Sequence, residues 1–398
     1  MPRIGAPDGT VSGRRGRRPG PARSGMSQTD KSSPVRPVPG PGSLEPDTDA
    51  PALLERLVQW AEQSGASDIH FQPAENCVRV FFRLDGVLTP VTDLPGALAE
   101  RLSGRIKYLA RLKTWQTALP QDGRIDHSEV GTAHDIRVST YPTVTGERIV
   151  LRLFRKATLP DLQGLGFPEA ARKELEHFLQ RPAGLLLLTG PAGSGKTTTI
   201  YACLQHLVRT GNRHIITIED PVEQILPGVT QTEIQEALGL DFARAARHLL
   251  RQDPEVLVVG EIRDEETAQI VVRAALTGHL VLSTLHAGSC RGVLERLRLM
   301  CRDAYTAVSA VELILNQRLV RRLCGQCDGR GCDACMQTGY RGRIPVVEWY
   351  RVTESARARL REGDWAVVAP DPSLADAARG LIARGWTTTQ EVQRVVGP

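Results

Sequence analysis

Apolar positions fall into successive patterns along the chain. From Pro51 they recur at helical spacing, with Leu53, Leu54, Leu57, Val58 and Ala61 on one face. VRVFFRLDGVL (78–88) reads as two strand pieces about an Asp85-Gly86 turn, a strong hairpin signal. ALAERLSGRIKYLARL (97–112) is a second amphipathic helix. GRIDH (123–127), AHDIRVSTYPT (133–143) and ERIVLRLF (147–154) alternate as half-covered strands do. Residues 50–155 are therefore predicted to form a small α+β domain around an antiparallel sheet.

A linker and a short helix follow over 156–182, and from Gly184 the pattern changes. GLLLLTG, HIITIED, EVLVVGE and HLVLSTLH are continuous apolar runs separated by helical patterns. Such strands belong to a parallel sheet covered on both faces, so residues 183–398 are predicted to be an α/β domain. Beyond about 354 the chain reads as short helices, ending in TTTQEVQRVV. No internal repeat is present. Residues 1–49 are rich in Pro, Gly, Ser and Arg without apolar periodicity, and are expected to be a disordered tail. Its Arg14, Arg15, Arg17 and Arg18 suggest an arm for nucleic acid or a membrane surface. The plainer reading is preferred, an unstructured extension or a start assigned ahead of Met26, because short basic runs are weak motifs.

Composition narrows the class. Among 398 residues, 41% are hydrophobic and 24% charged, as in soluble globular proteins, and the 5% aromatic content leaves cores to Leu, Val, Ile and Ala. A net charge of +5 is too mild to imply a nucleic-acid partner. No window approaches the ~18–20 consecutive apolar residues of a membrane span. MPRIGAPDGT lacks the apolar core of a signal peptide, so an intracellular protein is expected.

LLLLTGPAGSGKTTT (185–199) carries G-x-x-x-x-G-K-T from Gly190 to Thr197, between an apolar strand and a helical run. There Gly190, Pro191, Ala192, Gly193, Ser194 and Gly195 would wrap backbone N–H groups around phosphates, at the positive end of the helix that Lys196, Thr197 and Thr198 begin. Lys196 adds a charge for the phosphates and Thr197 a hydroxyl for Mg²⁺, which points to ATP and Mg²⁺ as ligands. EVLVVGEIRD (255–264) ends a neighbouring strand with Glu261, able to hold Mg²⁺ through water or polarise the attacking water. HIITIEDPVE (214–223) brings Glu219, Asp220 and Glu223 to another strand end, where ligands of such sheets bind. Glu219 is the second candidate for water activation, although some of these acids will only cap helices or pair with arginines. In LTGHLVLSTLHA, His279 precedes a strand and His286 follows it. His286 is placed to sense a γ-phosphate.

Four of the eight cysteines crowd into CGQCDGRGCDAC (324–335). A disulfide knot, a redox pair and a metal clip all use such clusters. Inside a reducing compartment the knot is disfavoured. Two C-x₂-C pairs separated by four residues suit one tetrahedral Zn²⁺, bound by Cys324, Cys327, Cys332 and Cys335. Four thiolates leave no open coordination position, so the site would be structural. CDGRGC alone is also similar to the zinc repeats of DnaJ-type chaperones. Cys77, Cys203, Cys290 and Cys301 show no ligand spacing and are expected to be packed thiols.

Taken in order, GPAGSGKTTT, ITIEDPVE, LLRQDPEVLVVGEIRD and TGHLVLSTLHA resemble the four nucleotide motifs of the secretion-ATPase superfamily, which serves type II secretion, type IV pilus assembly and competence (the general secretion pathway protein E family). Its Walker B segment ends in Gly-Glu, as at Gly260 and Glu261. SDIHFQP (67–73), RLDGVL (83–88), LPQDGRI (119–125) and IRVSTYPTVTGERIVLR (136–152) are similar to the family's N-terminal domain, with Gln72 where the family has Glu. The cysteine cluster followed by TGYRGR resembles the tetracysteine element of assembly-type members, with a shorter insert between the pairs.

The resemblance covers residue 50 onward. It implies a RecA-like P-loop ATPase domain preceded by a small α+β (PAS-like) domain, assembled as a homo-hexamer. Nucleotide would lie between the two domains, with Arg124 and Arg137 reaching the phosphates and Arg148 and Arg152 able to share that role. The same arginines could instead pair with Asp122, Asp126 or Asp135. The implied activity is hydrolysis of ATP to ADP and phosphate at the cytoplasmic face of the inner membrane. Docked on a platform protein there, it would push pilin-like subunits into a filament, without direct nucleic-acid contact. A pilus retraction ATPase and a DNA-pumping motor are the alternatives, the first weakened by the tetracysteine element and the second by the lack of interleaved aromatic and basic residues. Larger members dock through an additional N-terminal domain, so docking here is expected to use another surface, or the chain belongs to a shorter branch.

Overall fold

The computed structural model describes residues 49–132, 135–153 and 159–397. The tail with its arginines and Met26 lies outside them. The first sheet is built from β1 (Asp68–Pro73), β2 (Cys77–Leu84), β3 (Val87–Pro95), β4 (Gln121–Ile125), β5 (Ile136–Thr143) and β6 (Gly146–Leu153), in the order β3-β2-β1-β6-β5-β4 with every neighbouring pair antiparallel. Asp85 and Gly86 both take positive φ, 48° and 86°, in the two-residue turn between β2 and β3, as a type I′ hairpin requires. The alternation read through His127 stops at Ile125. Asp126 accepts a hydrogen bond from the Ser128 amide instead and starts a short 3₁₀ turn over His127–Glu129.

Period-two patterning gives this sheet unlike faces. Ile69, Phe71, Val80, Phe82, Ile136, Val138, Ile149 and Leu151 are buried against α1 (Ala50–Ser64) and α2 (Gly96–Leu109). The alternate positions put Asp68, His70, Arg83, Arg137, Arg148 and Arg152 on the other face. Lys107 of α2 is 1% exposed, and its ammonium donates to both carboxylate oxygens of Glu147 at 2.9 and 3.0 Å and to the Gln116 carbonyl at 2.7 Å.

After α3 (Glu169–Leu179) come β7 (Gly184–Thr189), α4 (Lys196–Thr210), β8 (Ile215–Glu219), β9 (Thr230–Glu233), α5 (Phe242–Leu249), β10 (Val256–Val259), α6 (Glu265–Leu276), β11 (Leu280–Thr284), α7 (Cys290–Met300), α8 (Ala304–Ala310), β12 (Val311–Leu323) and β13 (Tyr340–Arg351). The order is β13-β12-β7-β11-β10-β8-β9, parallel throughout except for β13. Both faces are covered, which explains the continuous apolar runs. Leu185, Leu187, Leu257 and Val259 enter one core, while Leu186, Leu188, Val256 and Val258 enter the other.

Two features go beyond the parallel sheet expected. The β9 strand TQTE extends one edge, and the long β12–β13 hairpin forms the opposite edge, with the four clustered cysteines between its strands. α9 (Glu354–Arg361), α10 (Leu374–Ala383) and α11 (Thr389–Val396) follow, and the last two pack on the hairpin through Val320, Ile344, Val346, Ala378, Leu381 and Val392. Among the described residues no helix is long and apolar enough to cross a membrane.

Candidate functional site

The loop from Gly190 to Gly195 joins the buried strand β7 to the N-terminus of α4. Gly190, Gly193 and Gly195 have φ of 142°, 73° and 90°, a region that side chains with a Cβ disfavour. At Gly190 a Cβ would also meet the Gln317 carbonyl oxygen at 2.3 Å. β12 presses that closely on the loop from behind. The Gln317 side-chain amide donates to the Ser194 carbonyl at 2.7 Å, and its oxygen accepts from the Thr199 hydroxyl at 3.0 Å. Lys196 lies over the loop, its ammonium donating to the carbonyls of Gly190 and Pro191 at 2.9 and 3.0 Å. Burial lowers its pKa, with Glu261 opposing and Arg318 reinforcing that shift.

Ala192, Gly193, Lys196 and Thr197 line a cleft of about 250 Å³, and Glu219, Asp220, Glu223, Glu261, Arg263 and His286 face it from the ends of neighbouring strands. Gly190, Pro191, Ser194, Gly195 and Thr198 complete the loop and first helical turn without lining the cleft. A glycine cradle, aligned helix amides and a lysine form a donor set that fits the phosphates of a nucleotide, and the Thr197 hydroxyl with the strand-end acids fits Mg²⁺.

Glu261 follows β10 and is held on both oxygens. Its Oε1 lies 3.0 Å from His286 Nε2, and its Oε2 accepts from Arg263 Nε at 3.1 Å. The other ring nitrogen of His286 is 3.3 Å from the Gly190 carbonyl oxygen, so one imidazole spans the acid and the phosphate loop. Arg263 also pairs with Asp220 at 3.2 Å and stacks on Phe242. Sequence reasoning gave Arg263 no role, although it stands two residues beyond Glu261 in the same motif, and it missed Tyr201 and Phe242 of the cleft wall altogether.

Glu219 is placed differently. It is 6% exposed and accepts hydrogen bonds from the Tyr201 hydroxyl, from Thr217 Oγ1 at 2.6 Å and from Gln231 Nε2 at 2.9 Å. Burial, followed by the bond to Glu219, pushes the Tyr201 phenol far up, so it remains a donor. The phenol oxygen in turn accepts from the amides of Glu223 and Gln224 at 3.3 and 3.4 Å. This network ties α4 to the loop after β8.

Arg124 and Arg137 do not line the cleft. Strand register sets Arg124 opposite Arg137, Arg137 opposite Arg152, and Arg152 opposite Asp68, one row across the open face of the first sheet. Arg124 pairs with Asp135, whose carboxyl the His127 amide and then Arg124 hold at about 2. Arg137 and Arg152 border a shallow depression with Asp122 and Ser139. Arg152 donates to Asp68 at 3.0 Å, and its charge also reaches Glu223, lowering a carboxyl pKa that burial and Glu219 raise. On the same face His70 sits between Arg83 and Arg148, where burial and then the charge of Arg83 lower its pKa to about 4.

The sulfur atoms of Cys324, Cys327, Cys332 and Cys335 all lie within 4.8 Å of one another, with separations of 3.9 Å (Cys324 to Cys332), 3.8 Å (Cys327 to Cys335) and 3.7 Å (Cys332 to Cys335). Bonds of ~2.3 Å to a tetrahedral zinc require sulfur–sulfur edges of about 3.8 Å. The donor set therefore fits Zn²⁺ in kind and in spacing. Of the other cysteines, Cys203 and Cys290 are buried, and Cys77 and Cys301 are half-buried.

A glycine loop at a strand-to-helix junction, flanked by acid-ended strands of a parallel sheet, defines a P-loop nucleotide-binding protein of RecA-like fold. Residues 45–394 match the model of the family described as "Type II/IV secretion system protein", and the chain belongs to that family. It is 42% identical over 386 residues to the type II secretion system protein E of Pseudomonas aeruginosa, covering 88% of this chain and 77% of the relative. It is 39% identical over 386 residues to the type II secretion system ATPase E of Vibrio cholerae, covering 88% and 76%. The solved structure of the pilus retraction motor PilT with bound ADP is similar at a TM-score of 0.61 and 26% identity, covering 85% of this chain and 96% of that one.

Proposed function

We propose that this chain hydrolyses ATP to ADP and phosphate and uses the cycle to drive assembly of a pilus or pseudopilus for secretion. The observation that carries the reading is Glu261, held by His286 and Arg263 in the cleft that Lys196 and Thr197 also line. In this reading Glu261 orients and polarises the attacking water. Lys196 and the loop amides hold the phosphates, and His286 reports their presence to the loop after β11. Mg²⁺, when bound by Thr197 and a strand-end acid, would neutralise charge on the phosphoryl oxygens. The three donors on Glu219 support an anchoring role there rather than water activation. The basic row of Arg124, Arg137 and Arg152, none of which lines this cleft, would supply charge to a phosphoryl group brought against that face of the first sheet.

The chain divides, in this proposal, into an α+β unit over 50–155, a connector over 156–182 and a motor from 183 on. Six copies form the working ring at the cytoplasmic face of the inner membrane, docked on a platform protein that contacts pilin-like subunits. The names of the relatives, a type II secretion system protein E and an ATPase E, support this placement. Zn²⁺ on the four cysteines braces the tip of the β12–β13 hairpin.

Phosphate release by the purified full chain with Mg²⁺ and ATP tests the activity. Turnover abolished by Glu261→Gln, with nucleotide still bound, is expected. Nucleotide binding without turnover by the wild-type ring would overturn the hydrolytic reading.

A further inference from the structure

The segment from His286 to Cys290 is pinned residue by residue. The His286 carbonyl accepts from Arg296 Nη1 at 2.9 Å. Ala287 exchanges two hydrogen bonds with the Thr189 hydroxyl, both at 2.9 Å. The Gly288 carbonyl accepts from Asn316 Nδ2 at 3.1 Å and lies 3.4 Å from Arg318 Nη2. The Cys290 amide, first in α7, donates to Glu348 Oε1 at 3.0 Å.

Two of these supports are buried polar side chains from the hairpin. Asn316 is 0% exposed and Glu348 6%. They face each other across the β12–β13 pair, where Asn316 Nδ2 donates to Glu348 Oε1 at 2.9 Å. Glu348 Oε2 accepts from the amide of Leu374, first residue of α10, at 3.0 Å. A buried carboxylate is thus satisfied by N–H groups at two helix N-termini and by one side-chain amide, where the helix dipoles favour negative charge. Arg318, which donates to Asn316 Oδ1 at 2.6 Å, adds a nearby cation. A buried acid is expensive to keep unless every partner is in place, so its presence here calls for a reason.

We propose that Glu348 and Asn316 are positioning residues for His286. They fix the backbone that aims the imidazole at Glu261 and Gly190, and they join that backbone to the C-terminal helices through Leu374. This rests on the hydrolytic reading of the cleft. The side chain at 348 must accept at both ends. An amide in place of the carboxylate keeps the size but turns a donor toward the Leu374 amide or toward Cys290 and Asn316, leaving N–H groups face to face.

The test is a double-mutant cycle in the full chain, with Glu348→Gln, His286→Ala and the pair, read as kcat and KM together with amide hydrogen exchange over 286–290. Glu348→Gln is expected to lower kcat by about 10-fold or more with KM changed less than about 3-fold, and to add almost nothing once His286 is alanine. Exchange at Ala287 and Cys290 is expected to accelerate in Glu348→Gln but not in His286→Ala. Asn316→Ser, a milder change, is expected to shift both readouts in the same direction. Additive losses in the cycle, or a fall in KM-dependent binding alone, would overturn the positioning role. Unchanged exchange in Glu348→Gln would overturn it whether or not the protein turns over. A wild-type chain that releases no phosphate would defeat the hydrolytic reading instead, and the exchange comparison would still decide the tether.

Discussion

Gln317 reaches across 123 positions of sequence to donate its side-chain amide to the carbonyl of Ser194 at 2.7 Å. The glutamine is 2% exposed, and its other end accepts from Thr199. β12 is therefore the floor of the phosphate loop, and the loop's shape depends on a strand far from its own motif. Gln317→Ala would leave the Ser194 carbonyl and the Thr199 hydroxyl without these partners, a loss of about 1–3 kcal/mol for a buried bond. Nucleotide affinity is expected to weaken by about tenfold, since 1.4 kcal/mol is a decade. Equilibrium binding of a fluorescent nucleotide would check this, and unchanged affinity would show that the loop holds its shape unaided.

Lys107 and Glu147 form a buried pair that fastens α2 to β6 and to the Gln116 carbonyl. Lys107→Met strands the carboxylate in an apolar site, so a loss of about 3–5 kcal/mol is expected. Glu147→Leu added to it removes the stranded charge and should return most of that stability. Urea midpoints of the single and double variants give the comparison. A double variant no better than the single one would mean that packing, and not charge, is what the pair supplies.

The cysteine cluster is also tied to the first sheet. Met336, directly after Cys335, is 4% exposed within the apolar core of that sheet, and the Gly342 amide donates to Asp85 in the β2–β3 turn at 2.7 Å. Metal analysis is expected to find one zinc per chain. Chelation, or Cys327→Ser, is expected to lower the melting temperature and to expose the Met336 side chain to oxidation. Met336→Ala is expected to cost about 2–5 kcal/mol, as for other large-to-small core changes. Retention of full stability after complete zinc removal would contradict a structural role for the metal.

Acid should act through Glu391. Burial alone would raise its pKa, but hydrogen bonds from Arg394 and Arg321 outweigh that and hold it at about 2, below the ordinary 4.5. A carboxyl depressed on folding contributes stability that is present above its unfolded pKa and lost as the pH falls toward the folded one. The contribution should therefore fade between about pH 4.5 and 2. Glu391→Gln is expected to be less stable at neutral pH and flatter across that window, in denaturant titrations at fixed pH. Parallel pH profiles for the two proteins would exclude Glu391 as the titrating group.

Local patterns carried much of the fold. The alternation in β5 and β6, the Asp85-Gly86 turn and the unbroken apolar runs of β7, β8, β10 and β11 were all legible, because strand period and burial of one or both faces are written in consecutive residues. β1 was not read as a strand, because four consecutive buried positions replace the alternation there. The phosphate loop was legible for the same reason, since its glycines and Lys196 are contiguous. β12 was not, because Asn316 and Gln317 interrupt its apolar run. Those two polar residues are buried only because partners from the phosphate loop, α4, the loop after β11 and β13 wait for them. Glu219 showed its strand-end place in sequence, but not the three donors that occupy it.

What the sequence by itself determined was the class: two sheets of different kinds, a phosphate loop on the second and four thiols at zinc spacing. These depend on short-range periodicity and on motifs whose members lie within a dozen residues. Tertiary structure alone decided which side chains hold each acid of the cleft, which acids pair with the arginines of the first sheet, and what holds His286 in line with Glu261. Each of those depends on residues tens to more than a hundred positions apart meeting in a buried, low-dielectric place, where a single hydrogen-bond partner settles a side chain's role.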